Sequence, residues 1–324
     1  MLSQAGGEDT MKLNAKHAYG AAVLHAVLVG LAFLFGKVAL ETAKPIDLLA
    51  HRFLASFMGI SILATTKIVT VNLTGRRFLR LLPLALFYPL MFFSFQTYGL
   101  MLASSSEGGI IQASTPVFVM ILASHFLGER LTRAQKASVV LSVIGVLYIL
   151  LQTGSGLEVT SFRGVVLLLC SVLAFAAYNV LVRKAVADFS YWEITFSVLA
   201  VGFVVFTFVT VVNHLWSGDF SGLLVPLKNP GYIFSVLYLG ILSTLVTAML
   251  YNFSLSKLEA SRVSVFGSLA TVISILAGVI FLKEQLFYYH VVGSILIIGG
   301  VVGTNLSPRS RKGMNHAPND NQRL

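Results

Sequence analysis

Acidic side chains are scarce in this chain. Asp and Glu together number 13 among 324 residues, and none lies near the middle of an apolar run, so coupling to protons through a central carboxylate has no support. A single cysteine, Cys170, occurs; it cannot form an internal disulfide, and inside an apolar run it packs as a small apolar residue. The sequence has no Gly-x-x-x-x-Gly-Lys-Ser/Thr loop for direct ATP drive, no His-Glu-x-x-His pair for zinc and no acidic cluster for another metal. No cofactor and no metal are expected, and an intramembrane enzyme lacks the convergent reactive groups it would need. Nor is there room for a soluble domain, since the longest break between apolar runs is the stretch from Trp216 to Gly231.

Apolar sequence fills the space that charge leaves. Hydrophobic residues make up 56% of the chain and charged ones 11%, with a mean hydropathy of +0.84, far outside the range of soluble domains. Ten apolar segments follow one another: Ala18 to Leu40, Ile46 to Val69, Phe78 to Leu102, Gly108 to Leu127, Ala134 to Leu151, Gly164 to Leu181, Tyr191 to Leu215, Tyr232 to Leu255, Val263 to Leu282 and Phe287 to Leu306. Each is long enough to cross a hydrocarbon core of about 30 Å as a helix. Helix is the required form because an unpaired backbone group in lipid costs several kcal/mol, and the short alternating segments of a membrane barrel are absent. The fold class is an all-α polytopic membrane protein. Lys12 and Lys16 precede the first run as in a secretory signal, but the run is long and no small-residue cleavage site follows, which predicts a retained span; Met11 is a second candidate start.

The net charge of +10 reflects topology rather than a nucleic-acid surface. Seventeen Lys and Arg residues fall in the tails and the loops on the same side, against four (Lys44, Arg163, Lys228 and Lys283) in the opposite loops; Lys37 and Arg52, inside spans, complete the 23. By the positive-inside rule both termini lie in the cytoplasm, and the expected location is the cytoplasmic membrane.

The chain also repeats itself. A shift of 155 residues brings Phe126 onto Phe281, Glu129 onto Glu284, Leu131 onto Leu286, Leu141 onto Leu296 and Gly145 onto Gly300. With another offset, Leu31-Ala-Phe33 matches Leu173-Ala-Phe175. The organisation predicted is a tail at 1–17, a five-helix repeat at 18–152, a second at 153–306 and a tail at 307–324. Five is odd, so the copies must face opposite ways; Arg130, Arg133 and Lys136 around the first corner accordingly become Gln285, Tyr288 and Val291 around the second. Glu129 and Glu284 are expected to mark the tight corners of two helical hairpins, and Thr132-Arg-Ala-Gln135 fits a capping box that starts the fifth helix. Inverted repeats are the architecture of alternating access, with a binding site near mid-bilayer where the copies meet.

These features together resemble the EamA branch of the drug/metabolite transporter superfamily. The resemblance is carried by Tyr98-Gly-Leu100, Ala113-Ser-Thr-Pro-Val117, Phe126-Leu-Gly-Glu-Arg-Leu131 and Gly145-Val146 in the first half. Tyr251-Asn-Phe253, Leu282-Lys-Glu-Gln-Leu286 and Gly300-Val301 carry it in the second. It covers about Tyr19 to Thr304. Two departures are Thr271 at the place aligned with Pro116 and Lys283 where the first corner has Gly128. The resemblance implies a central cavity lined by the first four spans of each half, the fifth and tenth spans acting as scaffold, and transport of small organic solutes, often export of amino acids or related metabolites.

Polar side chains at depth are the candidates for substrate contact, since they are costly in lipid and tend to face the bundle interior. Lys37 and Arg52 lead. Lys37 sits near an end of its span, where it can snorkel; the apolar run after Arg52 covers only about 18 Å as helix, so the second span must include Arg52. Asp47, Glu41 or a carboxylate on the substrate would neutralise it. Pro116 interrupts the fourth span beside Gln112, Ser114 and Thr115, and Ser268 and Thr271 lie at comparable depth in the ninth. Tyr178 and Asn179 pair by repeat with Gly36 and Lys37, while Gln96, Tyr98, Tyr251 and Asn252 add donors and aromatic surface. For the hydroxyls, a bond back to their own helix is the plainer reading. His25 could relay protons but fits a packing role better. The expected activity is secondary transport of an amino-acid-like or drug-like metabolite, outward, with the lipid bilayer and a small-molecule substrate as partners and no nucleic acid. A homodimer is compatible with the sequence, and an intramembrane enzyme, or a channel or receptor, is the alternative.

Overall fold

The computed structural model of the protein describes residues 2–128, 131–155, 159–257 and 260–306. The described residues form helices and turns, with no strand among them. Helix α1 covers Leu2–Leu40, α2 Pro45–Thr65 and α3 Gly75–Ala85. The π-helical turn Leu86–Met91 follows and runs into α4, Phe92–Leu102. Next come α5, Ser105–Gln112, α6, Thr115–Phe126, α7, Arg133–Ser155, α8, Val159–Ala185, and α9, Tyr191–Ser217. After the short α10, Ser221–Leu224, come α11, Pro230–Leu237, a second π-helical stretch, Tyr238–Val246, and α12, Thr247–Lys257; α13, Ala260–Phe281, and α14, Tyr288–Leu306, complete the bundle. Among the described residues, eight helical segments are long and apolar enough to cross a membrane, and Leu269–Phe281 and Tyr288–Gly303 are shorter apolar stretches.

Several boundaries differ from the sequence reading for identifiable reasons. The second span stops at Thr65 rather than Val69, where Thr65 and Thr66 turn their hydroxyls onto the Ile62 carbonyl and Lys67 takes a positive φ of 58°. The break from Trp216 to Gly231 holds α10 and a 3-10 turn, begun by the left-handed Gly218 (φ 67°) that ends α9. Helix α1 runs back to Leu2 through the N-terminal tail, which carries no proline to stop it. The fourth span is two helices, because proline at the second position of α6 supplies no N–H to the preceding turn. The third and eighth spans are both interrupted near mid-length by their π-helical segments. Such irregular backbone is tolerated at membrane depth where it is enclosed by protein.

Packing joins helices that are far apart in sequence. Helix α1 lies against α13 and α12, α2 against α9 and the second π segment, α4 and α6 against α8, α5 against α13, and α7 against α14. The α7–α14 pair crosses at glycine. A Cβ on Gly145 would stand 2.9 Å from Leu296 Cβ and 3.0 Å from the Gly293 carbonyl, and one on Gly300 would stand 2.5 Å from the Ser138 carbonyl, so backbone approaches backbone as small residues permit in membranes. Ser142 Oγ donates across the crossing to Ile297 O at 2.9 Å. Gly145→Leu must push the helices apart; its expected effect is a loss of about 1–3 kcal/mol, typical of overpacking, read as a lower unfolding temperature in detergent.

At the corner before α14, Lys283 adopts φ 54°, and at the corner after α6, Gly128 adopts φ 68°. Both corners therefore need the left-handed conformation that suits glycine and costs a lysine energy. Thr132 and Gln135 close the capping box expected for α7: Thr132 N donates to Gln135 Oε1 at 3.0 Å and Gln135 N to Thr132 Oγ1 at 3.2 Å. Glu284 reaches across the bundle and accepts from Ser105 N (2.6 Å), Ser106 N (2.9 Å) and Ser106 Oγ (2.6 Å). Its carboxylate thereby satisfies the free N–H groups at the start of α5. Glu129 lies outside the described residues.

Candidate substrate site

The site grows from one face of α2. Asp47, His51, Arg52 and Ser56 are all buried on this helix; Arg52 and Ser56, four residues apart, share one side, and Asp47 and His51, also four apart, share another. Arg52 is 7% exposed, and no residue within the described structure pairs with it as a carboxylate or accepts a hydrogen bond from its guanidinium; Nε is wholly buried without a partner. The guanidinium carbon lies 4.1 Å above the centre of the Phe93 ring. A cation over an aromatic face is attracted by the ring quadrupole by about 0.5–2 kcal/mol, far less than the cost of removing an unpaired charge from water.

The aromatic surroundings extend from that ring. Tyr88 stands 5.1 Å from Phe93, 5.5 Å from Phe92 and 5.6 Å from Phe175, and stacks on Tyr178 at 4.8 Å. Tyr88 occupies the interruption of the third span, with extended φ/ψ of −141° and 113° inside the π-helical turn. That break turns its ring out of the helical register and into the cluster. On the far side Phe57 stacks on Phe203 at 5.1 Å and tilts against Phe196 at 5.6 Å. Rings from α2, α4, α8, α9 and the first π segment thus form one aromatic cluster, and the guanidinium lies over its Phe93 member. The second π segment touches the same stretch, where Ser56 Oγ donates to Gly240 O and to Arg52 O, each at 2.9 Å.

The other polar candidates are scattered. Lys37 Nζ donates to Leu100 O at 2.7 Å and Ala103 O at 2.5 Å, closing the end of α4. Gln112 Nε2 donates to Thr115 Oγ1 at 2.9 Å, Thr115 Oγ1 to Gln112 O at 2.7 Å, and Ser114 Oγ to Ile111 O at 2.6 Å. Thr115 thus covers the Gln112 carbonyl that Pro116 frees, Ser114 bonds the carbonyl beside it, and the Gln112 amide holds the Thr115 hydroxyl. Asn179 bonds its own helix at Phe175 O, 2.7 Å away, and Thr271 Oγ1 donates to Gly109 O at 3.3 Å. Gln96 is partly buried on α4, Tyr98 and Tyr251 are exposed, and the side chains of Asn252 and Ser268 lie outside the described residues. His25 donates from Nδ1 to Thr247 O at 3.1 Å and packs 5.2 Å from the Tyr251 ring. Of the sequence candidates, Arg52 and Tyr178 border the same run of rings, Arg52 at Phe93 and Tyr178 at Tyr88.

Sequence reasoning missed Tyr88 and Phe93 as neighbours of Arg52. A Tyr-Pro pair in mid-span was the available signal. It also missed where Asp47 goes: not to Arg52 but to His214, whose Nε2 lies 2.8 Å from Asp47 Oδ1.

The helical bundle thus buries a guanidinium that lies over an aromatic ring and has no anion among the described residues. The model of the EamA-like transporter family matches residues 17–151 and again 162–306. This chain belongs to the EamA-like transporter family. It is a membrane transporter of the drug/metabolite superfamily and not an enzyme, and its partners are a small-molecule substrate and membrane lipid. It is 42% identical over 290 residues to the "Uncharacterized transporter YcxC" of Bacillus subtilis (strain 168), covering 90% of this chain and 93% of that one. It is 24% identical over 303 residues to a "Probable amino-acid metabolite efflux pump" of Escherichia coli (strain K12), covering 90% and 95% of the two chains. A protein known from a crystal structure superposes with a TM-score of 0.58 at 16% identity, over 89% of this chain and 96% of that one, a likeness of fold alone.

Proposed function

We propose that this EamA-like protein is a secondary transporter that carries a small amino-acid-like organic acid out of the cell, docking the substrate carboxylate on Arg52. The observation that carries the reading is the burial of Arg52 without an anion among the described residues. A guanidinium offers two parallel N–H donors to a carboxylate, and the pairing neutralises a charge the bundle otherwise leaves uncompensated. The rings of Tyr88, Phe93 and Tyr178 supply apolar surface for the rest of the solute. The name of the E. coli relative is in keeping with such a cargo.

Transport proceeds by alternating access between two inverted repeats of five spans, with α13 and α14 as the ninth and tenth spans and both termini in the cytoplasm. Four features favour this. The family model matches the chain twice. The contacts of α1 with α13 and α12 have counterparts in those of α8 with α5, α6 and α4. The π-helical interruptions fall in corresponding spans of each half. Gly128 and Lys283, 155 positions apart, share a left-handed backbone. The lysine and arginine asymmetry of the loops supports the orientation.

The test is counterflow into proteoliposomes preloaded in turn with members of a panel of amino acids, their N-acetyl derivatives and the amines that lack the carboxylate. The expected result is saturable, protein-dependent exchange of one carboxylate class and none of the matching amines. Equal leak with and without protein across the panel would sink the transport reading. Exchange of amines as fast as acids would sink the role of Arg52, and unitary current steps across a planar bilayer would make the protein a channel.

A further inference from the structure

At the end of the bundle where α2 begins and α9 finishes, a second set of buried polar groups stands apart from Arg52. Asp47 is the third residue of α2 and His214 lies in the last turn of α9; they are 0% and 2% exposed. His214 Nδ1 lies 2.6 Å from the carbonyl oxygen of Asp219. A carbonyl only accepts, so Nδ1 bears hydrogen. Nε2 lies 2.8 Å from Asp47 Oδ1, and a bond there needs one hydrogen between the two atoms. The pair therefore holds one proton, either as imidazolium with carboxylate or as imidazole with carboxylic acid, and is neutral in both forms. Without that proton, two lone pairs would face each other beside a buried charge.

From this geometry we infer that the Asp47–His214 pair is a proton-binding site, and that its shared proton holds this end of the bundle shut and leaves when the end opens. On opening, the proton passes to water and leaves a carboxylate and a neutral imidazole, both then hydrated. Asp47 Oδ2, buried and without a partner in the closed form, gains a water donor at the same moment. The titratable and charged groups around the pair come from each neighbouring element: Lys44 and His51 from the start of α2, Asp219 from the loop after α9 and Tyr232 from α11. His51 lies one turn beyond Asp47, with Nδ1 2.8 Å from the Tyr232 hydroxyl, which ties α2 to α11 at the same end and adjoins Arg52 in sequence. Asp219 is outside the membrane-spanning part, and its bonds from Ser221 hold its carboxyl below the usual carboxylate range, so it stays ionised while the pair titrates.

The opposite end closes differently. There Glu193, the third residue of α9, accepts from Arg77 Nη2 at 3.0 Å, and Arg77 also donates to Asp188 O at 2.9 Å. Arginine does not release its proton in proteins. One end thus has a latch that opens by losing a proton, and the other is held by an arginine that keeps its own. This asymmetry would let a proton gradient bias the direction of movement, whatever solute is carried.

The experiment needs no substrate. In a Cys170→Ala background, Ser56→Cys places a thiol in mid-α2, fully buried behind the latch, and Trp216→Cys places one at an exposed position of the same end. Whole cells are treated with a membrane-impermeant maleimide, and labelling at position 56 is divided by labelling at 216, which carries the ordinary pH dependence of a thiol. One proton linked to opening shifts the open population by up to about tenfold per pH unit, so the ratio is expected to rise about tenfold or more between pH 6 and pH 8.5. Asp47→Asn, whose amide can donate to Nε2, keeps the ratio low at both values; His214→Ala keeps it high at both. A ratio that does not change with pH, or that changes equally in Asp47→Asn, overturns the proposal. Infrared difference spectra of the reconstituted protein with 13C-carboxyl aspartate provide a readout free of these variants. A buried aspartate signal is expected to change over this pH range, where exposed aspartates are already ionised, and silence there would also overturn it.

Discussion

Proteoliposomes containing Arg52→Met are expected to lose saturable exchange while the protein unfolds at the same temperature as the unaltered chain or a higher one. Removing one partner of a buried, hydrogen-bonded charge pair costs about 2–5 kcal/mol, so the half-saturating concentration should rise by roughly 30-fold or more. Stability should move the other way. The guanidinium lies over the Phe93 ring and has no anion among the described residues, and replacing an uncompensated buried charge by an apolar side chain of similar length is neutral or favourable. Arg52→Lys keeps the charge without the two-pronged donor geometry and should recover part of the affinity. If Arg52→Met abolished exchange and also lowered the unfolding temperature by many degrees, Arg52 would be a structural cation rather than a substrate ligand.

Glu284→Ala is expected to have the largest effect on stability. Its carboxylate accepts three hydrogen bonds, two of them from backbone N–H groups at the start of α5. Hydrogen bonds to charged groups contribute about 1.5–3 kcal/mol each, and a donor left unsatisfied in a buried site costs more than the bond was worth. A loss of about 3 kcal/mol is a restrained sum, because the side chain is only partly buried and water can replace some of it. Glu284→Gln should fall between, since an amide NH2 opposes the donors at one of the two oxygen positions. Thermal unfolding in detergent gives the order, with Ala below Gln below Glu. Equal stability of all three would remove Glu284 from the set of bonds that hold the two halves together.

Much of the bundle was legible because membrane physics leaves few choices. Runs of apolar residues had to be helices, and among the described residues eight helical segments are long and apolar enough to cross a membrane. Pro116 announced a break but not that Gln112, Ser114 and Thr115 would all be used to repair it. Glu284 was recognised as a corner residue, yet its partners at Ser105 and Ser106 are 179 and 178 positions away, and no periodicity reports a contact at that distance. The same holds for Arg52. Its burial could be read from the shortness of the apolar run that follows it, whereas the ring beneath it depends on a backbone break at Tyr88 that turns the chain by an amount hydropathy does not encode. Asp47 was the nearest acid in sequence and so the natural neutraliser of Arg52. The five-residue spacing instead points the two groups apart, one toward α9 and the other toward the rings. Lys283 was a departure from the glycine at the first corner, and the backbone absorbs it by taking the same left-handed turn.

The close passage of α7 against α14 at Gly145 and Gly300 has a mechanical consequence. Where main chains touch, there is no side-chain cushion to slide over, so these two rods act as a keel against which the remaining rods must tilt. Spin labels at exposed sites on the keel, Leu147 and Ile295, should therefore keep one separation through a whole turnover. A pair spanning α2 and α9, at Met58 and Val204, should show two.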